Sequence, residues 1–344
     1  MIGRLLAGVS TSLLYSVFEA WLIRSHADAD LPKSCLTKSF SWVSFSNSIV
    51  AIFAGLVANY FASYNDMISL GRKIHMGGYL NPFDFSLAAL FVCGLAACTL
   101  WDENYGEQDP NESSGKDDGR QHGAKWYGGL QEAFVTSVRN RDILLCGIIS
   151  SLFEASMYIF VFCWTPLLKS FSEEKELPFG LIFSTLMVSC MTGASMFSIL
   201  VETYPVEKLA IGVLASSSIG MAIVGMGMNE SISLTGMLLF EMCVGMYFPI
   251  MGTMKGTIVP ESKRAAIYNL FRIPMNFIVL FSLLNDISAT FSFIVNAIML
   301  AAATVLQFFL TTRRINTTGS KRQVSKPEQE SILGNEIEEG KEFI

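Results

Sequence analysis

Charged side chains are scarce in this chain. Asp, Glu, Lys and Arg make up 16% of it, where soluble domains carry about 25%. With 51% hydrophobic residues and a mean hydropathy of +0.43, that shortfall excludes an ordinary soluble fold and indicates a multi-pass membrane protein. Histidine is scarce as well. His26, His75 and His122 lie far apart, so no metal site is readable and no cofactor is expected. The cysteines (Cys35, Cys93, Cys98, Cys146, Cys163, Cys190, Cys243) form no C-x-x-C pair and read as small apolar filler. A nucleophile elbow, an H-E-x-x-H helix and a phosphate-cradling glycine loop are all missing, so an enzyme has no constellation to rest on. Basic patches are missing too, which leaves nucleic acid without a footprint. No cleavable signal peptide is readable, because the first apolar run is too long and ends in a charged loop. The net charge of −6 says little, since much of it sits in one loop and the tail.

What the chain does have is long apolar runs. About 20 such residues cross a bilayer. Candidate spans are Ile2–Ile23, Phe40–Phe61, Phe83–Trp101, Ile143–Leu167, Phe179–Val201, Leu209–Met228, Leu234–Met254, Ala265–Leu284 and Phe291–Leu310, nine in all. Small residues recur in them (Gly8-x-x-x-Ser12, Gly55-x-x-Ala58, Gly220 through Gly227) and allow close helix approach in lipid. The connecting loops alternate in basic content. One set holds Arg24, Lys33 and Lys38, then Lys116 to Arg141, Lys208, Lys255 to Arg264, and Arg313 with Arg314. The other holds Arg72, Lys73, Lys169 and Lys175. By the positive-inside rule the first set is cytoplasmic. The C-terminus is then inside and the N-terminus outside. An outside start directly in a span predicts a chain lacking its beginning.

Residues 102–142 form a cytoplasmic central loop, with Glu103–Arg120 flexible and Trp126–Val138 amphipathic. That last segment is expected either on the inner membrane face or as a solvated connector. Residues 311–344 read as a disordered cytoplasmic tail.

Three runs carry a Phe-Glu pair: Phe18-Glu19, Phe153-Glu154 and Phe240-Glu241. They are the first, fourth and seventh runs, so the pair returns with a three-helix period. An acid inside hydrocarbon is costly and marks a functional site by default. A repeat of this kind suggests an internally repeated transporter.

Specific motifs then point to a family. Gly3-Arg4-Leu5-Leu6-Ala7-Gly8 with Ser12-Leu13-Leu14-Tyr15-Ser16-Val17-Phe18-Glu19-Ala20-Trp21 resembles the fourth helix of the eukaryotic molybdate-anion transporters. These are the branch of the major facilitator superfamily known as domain-containing protein 5. Trp101-Asp102-Glu103-Asn104-Tyr105-Gly106 resembles the end of the sixth helix. Ser151-Leu152-Phe153-Glu154-Ala155 with Phe160-Val161-Phe162-Cys163-Trp164-Thr165-Pro166 resembles the seventh, and Gly180-Leu181-Ile182-Phe183-Ser184 the eighth. Phe240-Glu241-Met242-Cys243-Val244-Gly245-Met246-Tyr247-Phe248-Pro249 resembles the tenth, and Asn269-Leu270-Phe271-Arg272-Ile273-Pro274-Met275-Asn276 the eleventh. The resemblance covers residues 1 to about 310. It implies helices four to twelve of a twelve-helix fold, with a partial N-terminal bundle at 1–101 and a six-helix C-terminal bundle at 143–310. It also implies that the helices bearing the Phe-Glu pairs line the central cavity.

The fold expected is therefore an all-α, truncated major facilitator fold of about nine transmembrane helices, not an enzyme. The function expected is secondary transport of molybdate or a related oxyanion by alternating access. Glu154, Glu241 and Glu19 are candidates for proton coupling or a cavity network, against structural hydrogen bonding or, for Glu19, a place at the inner interface. Arg272 with Asn269 and Asn276 is the candidate anion site, against a positive-inside anchor for Arg272. Arg4 fits a gate or packing role better than ligand contact. The expected partners are the bilayer, the anion and protons, with the plasma membrane as location. The alternatives are a carrier for another solute, such as a sugar or cation, and a non-transporting isoform or scaffold.

Overall fold

The computed structural model describes residues 2–14, 17–69, 75–101, 131–171, 177, 179–285 and 287–339. Side chains of the last helix are described as far as Ile315. The chain is almost entirely helical. In order come α1 (Ile2–Leu14), α2 (Val17–Asp28), α3 (Lys33–Ala62), a short hairpin, and α4 (Asn81–Leu100). After α5 (131–139) follow α6 (Arg141–Phe171), α7 (Phe179–Leu200), α8 (Val206–Gly225), α9 (Glu230–Ile258), α10 (Arg264–Leu284) and α11 (Ala289–Glu339). The hairpin pairs Ile68 with Met76 and Ser69 with His75, antiparallel.

Helix starts are set by local chemistry. Asn140 Oδ1 accepts from the Asp142 and Ile143 amides at 3.0 and 3.4 Å and caps α6. Asn229 does the same for α9, taking the Ile232 amide at 2.8 Å. Proline stands in the first turn of α4 and just before α8, where its missing N–H costs nothing.

Eight helices among the described residues are long and apolar enough to cross a membrane, beginning with Ser34–Ala62 and ending with Ala289–Ile315. Over the expected first span, Ile2–Ile23, the described residues are helical on both sides of 15 and 16, as α1 and α2, and residues 15 and 16 lie outside the described set. Trp126–Val138 falls partly outside it too; from 131 on it is helical. Beyond the apolar run α11 continues as helix to Glu339.

Inside lipid, apolar burial does not pull helices together; close packing and hydrogen bonds do. The C-terminal bundle is built that way. At the α8–α9 crossing a Cβ on Gly220 would lie 2.9 Å from the Gly236 carbonyl oxygen, and one on Gly236 2.7 Å from that of Gly220. Ser151 donates to the Phe271 carbonyl at 2.6 Å, joining α6 to α10. The fully buried Asn296 donates to the Ser156 carbonyl at 3.2 Å, joining α11 to α6. The core of this bundle holds Phe153, Phe160, Phe240 and Phe293. By contrast α4 has no buried residue and lies against α3.

Helix α3 joins the two halves. It lies in the angle between α7 and α9, and its serines supply the bonds. Ser41 donates to the Ala194 carbonyl at 3.2 Å and Ser44 to the Gly245 carbonyl at 3.1 Å. The second acceptor exists because Pro249, four residues on, has no N–H to occupy it.

Candidate functional site

A single narrow hollow of about 40 Å³ lies where α2, α6, α9 and α10 converge. Helix α6 presents Ser150 and Glu154, one turn apart. Helix α9 presents Tyr247, Met251 and Lys255, which four-residue spacing puts on one face. Helix α10 adds Tyr268 and Arg272 by the same spacing, and α2 adds Glu19. Two acids and two bases therefore share one space, with no net formal charge.

Glu154 is the best-supported of them. Its Oε1 accepts from Ser150 Oγ at 2.7 Å, Tyr247 Oη at 3.4 Å and Lys255 Nζ at 3.4 Å. Tyr247 is fixed in turn by stacking on Phe153 with ring centres 3.7 Å apart. Lys255 Nζ also lies 5.3 Å above the Tyr268 ring, a cation–π distance. Two groups facing the same space are unsatisfied. Glu19 Oε1 and Tyr268 Oη are both buried without a hydrogen-bond partner among the described residues. Buried polar atoms are nearly always paired, so both bring to the hollow hydrogen-bonding capacity that no described residue takes up.

Below the hollow lies an apolar plug. Ile23, Leu36 and Phe40 form a small apolar cluster. It lies against Gly252 and Gly256 of α9, with Ile23 Cδ1 3.3 Å from where a Cβ on Gly256 would be. Beneath that plug, Arg24 Nη1 donates to Glu261 Oε1 at 2.8 Å and Arg24 Nη2 reaches Asp28 at 2.9 Å. The Glu261 hydrogen bond raises the Arg24 pKa above its ordinary value, so the guanidinium stays charged. Lys38 and Glu202, both largely exposed, approach to 3.9 Å nearby. Among the described residues every ion pair except Lys255–Glu154 belongs to this end, the one rich in basic loops.

The Arg24–Glu261 pair joins α2 to the turn before α10, so it latches one half of the molecule to the other. Partly exposed pairs contribute about 0–1 kcal/mol. Glu261→Gln is thus expected to shift the closed population at this end by no more than about fivefold. Distance distributions between spin labels at Ala29 and Ser262, without the exposed Cys93 and Cys98, should broaden to longer values. A distribution identical to the parent's would show that the pair does not latch the two halves.

Of the acids singled out by sequence, Glu19 and Glu154 meet in the hollow. Glu241 does not line it; it is buried one turn before Gly245, on the face of α9 that crosses α7. The Phe partners behave differently, because Phe153 and Phe240 stack with centroids 5.8 Å apart. Arg272 is buried and lines the hollow. Asn269, three residues before Arg272, is half-buried and Asn276 is exposed; neither lines it. Arg4 lies in α1 with its side chain outside the described residues.

Lys255 is a correction. Loop counting assigned it to the cytoplasmic surface, yet it lies within α9 with its side chain 12% exposed and paired to Glu154. A signal was available: Ile258 and Val259 follow it, so the apolar run outlasts it by a turn. Tyr247 and Tyr268 were also missed, since no motif distinguishes a cavity tyrosine from a packed one.

Four helices thus enclose a hollow that holds two acids and two bases. The family model described as sugar transporters with 12 TM, of the major facilitator superfamily, matches residues 1–246. This chain belongs to that family. Curated relatives carry the name molybdate-anion transporter. The one from Danio rerio is 30% identical over 83% of this chain and 60% of its own length. That from Xenopus laevis is 29% identical over 95% of this chain and 70% of its own. The chain thus spans about three fifths to 70% of these relatives. Solved structures with the same fold include the proton:xylose symporter XylE bound to 6-bromo-6-deoxy-D-glucose. It has TM-score 0.62 and 15% identity over 89% of this chain and 70% of that one. The E. coli fucose:proton symporter FucP has TM-score 0.52 and 14% identity over 88% and 83%.

Proposed function

We propose that this chain is a secondary transporter of molybdate or a related tetrahedral oxyanion, working by alternating access. The observation that carries the reading is the pairing of two buried cations, Lys255 and Arg272, in one small hollow. Relatives bearing the molybdate-anion transporter name support it. Arg272 offers a planar fork, Lys255 a compact ammonium, and the Tyr268 hydroxyl a third donor. A dianion entering a site that already balances two acids against two bases would leave excess negative charge. Protonation of Glu19, whose buried oxygen has no partner among the described residues, relieves that excess and ties anion entry to a proton. Glu154 holds Lys255 in place until the anion takes over as its counter-ion. Glu241, outside the hollow, has no anion contact; its proposed part is limited to proton movement along the α7–α9 face.

The same proposal puts the basic end and the C-terminus in the cytoplasm and the protein in the plasma membrane. The loop charge asymmetry supports the orientation. The shut plug of Ile23, Leu36 and Phe40 then closes the inner side.

The test is accumulation of molybdenum, read by elemental mass spectrometry, in a transport-deficient cell expressing this chain. Uptake several times that of empty cells is expected, falling in parallel when a proton uncoupler is added. Labelled xylose and fucose form the second arm, since the family description and both solved neighbours point to sugars. Sugar uptake without molybdenum uptake would move the assignment to a sugar carrier. Correct membrane insertion with no uptake of either would favour a non-transporting membrane protein.

A further inference from the structure

Away from the hollow, at the basic end, an open cleft of about 650 Å³ is lined by Val135, Thr136, Arg139, Asn140, Arg141 and Arg313. From this cleft we infer a binding site for the headgroup of an anionic phospholipid, with the lipid's chains lying along α5. The cleft is built rather than incidental. Helix α5 is docked by Ala133 and Ser137, one turn apart and both buried, and by the 3.1 Å pair of Glu132 with Lys263. Asn140 fixes the turn into α6 through its two amide contacts. Asp142 holds Arg313 by a 2.8 Å bond from its Nε. Against that carboxylate stand three guanidiniums among the described residues, those of Arg139, Arg141 and Arg313. Arg139 and Arg141 are exposed and make no ion pair among the described residues.

Apolar side chains of α5 in and beside the cleft give the reason for a lipid rather than a soluble phosphate. Phe134, Val135 and Val138 are 57%, 48% and 51% exposed. Helical spacing puts Phe134 and Val138 on one stripe beside the arginines, exposed among the described residues. An apolar stripe beside a cationic cleft is the pattern of a helix lying in the bilayer interface. Depth agrees. Arg141 opens one spanning helix, and Arg313 stands two residues before the end of the last apolar span, Ala289–Ile315. Both therefore lie at headgroup level, where guanidiniums bind phosphate bidentately.

The full chain, purified in detergent and titrated by native mass spectrometry, tests this. Phosphatidylinositol bisphosphate is expected to bind more tightly than phosphatidylserine, and phosphatidylcholine least. Arg139→Gln with Arg141→Gln should weaken the first of these about thirtyfold. Lys38→Gln with Lys208→Gln, which removes two exposed charges elsewhere on the same end, should change it less than threefold. Phe134→Ser should weaken the lipid but not soluble inositol trisphosphate. Equal loss from both charge pairs would reduce the cleft to general surface attraction and overturn the proposal. Equal affinity for the lipid and for soluble inositol trisphosphate would overturn the lipid as occupant. Thermal melting of each variant at the parent's midpoint shows that the fold is retained.

Discussion

Lys255→Gln should reduce anion uptake by about two orders of magnitude, more than any other single change in the hollow. The removed ammonium does two jobs. It donates to Glu154 at 3.4 Å with both side chains under 15% exposed, and it faces the space where the anion would sit. Deleting one partner of a buried, hydrogen-bonded charge pair costs about 2–5 kcal/mol, largely because the survivor is left uncompensated. Here the survivor is a carboxylate that keeps only Ser150 and Tyr247 as donors. It would then repel the incoming dianion.

Loss of uptake alone would not separate binding from folding, so a second variant is required. Glu154→Gln added to Lys255→Gln removes the stranded carboxylate and restores neutrality. The double variant should recover the folded yield and melting temperature. Uptake should stay low, because the anion has lost its ammonium. Recovery of uptake in the double variant would show that Lys255 serves only to neutralise Glu154, and the anion site would have to be sought elsewhere.

The spans were readable because a bilayer demands length and apolarity of each crossing, and both are properties of the sequence itself. Glu154 and Glu19 were readable for the complementary reason: an acid in such a run is conspicuous. Helical phase was not readable from the Phe-Glu repeat. On α9, Glu241 lies six residues before Tyr247, about 240° around the helix at roughly 100° per residue. Tyr247, Met251 and Lys255 face the hollow, and Glu241 therefore faces α7. The phenylalanines of the repeat do meet, Phe153 against Phe240, because a large ring can reach a neighbour from a position turned off the axis of approach. Lys255 was hidden by the same rule that oriented the chain. Counting basic residues near helix ends treats every lysine there as interfacial, whereas three residues of additional helix put this one inside.

Gly245→Ala and Gly193→Ala should leave little folded protein. At the α7–α9 crossing a Cβ on Gly193 would overlap the Met242 carbonyl, and one on Gly245 would overlap the Cys190 carbonyl. The two clashes lie one turn apart, and each pushes on backbone, which cannot swing aside as a side chain can. Overpacking of a closed site costs about 1–3 kcal/mol. Separation of α7 and α9 then reaches α3. Ser41 and Ser44 donate to carbonyls on either side of the crossing, at 3.2 and 3.1 Å, and each bond contributes about 0.5–1.5 kcal/mol. The Gly245 carbonyl has no helical substitute, since Pro249 offers no N–H. Stranding it adds about 1–3 kcal/mol. Together these come to about 3–9 kcal/mol, set against the roughly 5–15 kcal/mol that holds a typical domain folded, which is enough to cut the folded population sharply. Gly212→Ala is the matched control, because nothing lies within 4 Å of its Cβ position; it should be neutral or stabilise by about 0.5–1 kcal/mol. The monodisperse peak in fluorescence-detected size exclusion and its thermal midpoint read both outcomes. A Gly245→Ala protein that behaves like the parent would mean that α7 and α9 do not cross at backbone contact, and the serine seam that joins α3 to them would lose its geometric basis.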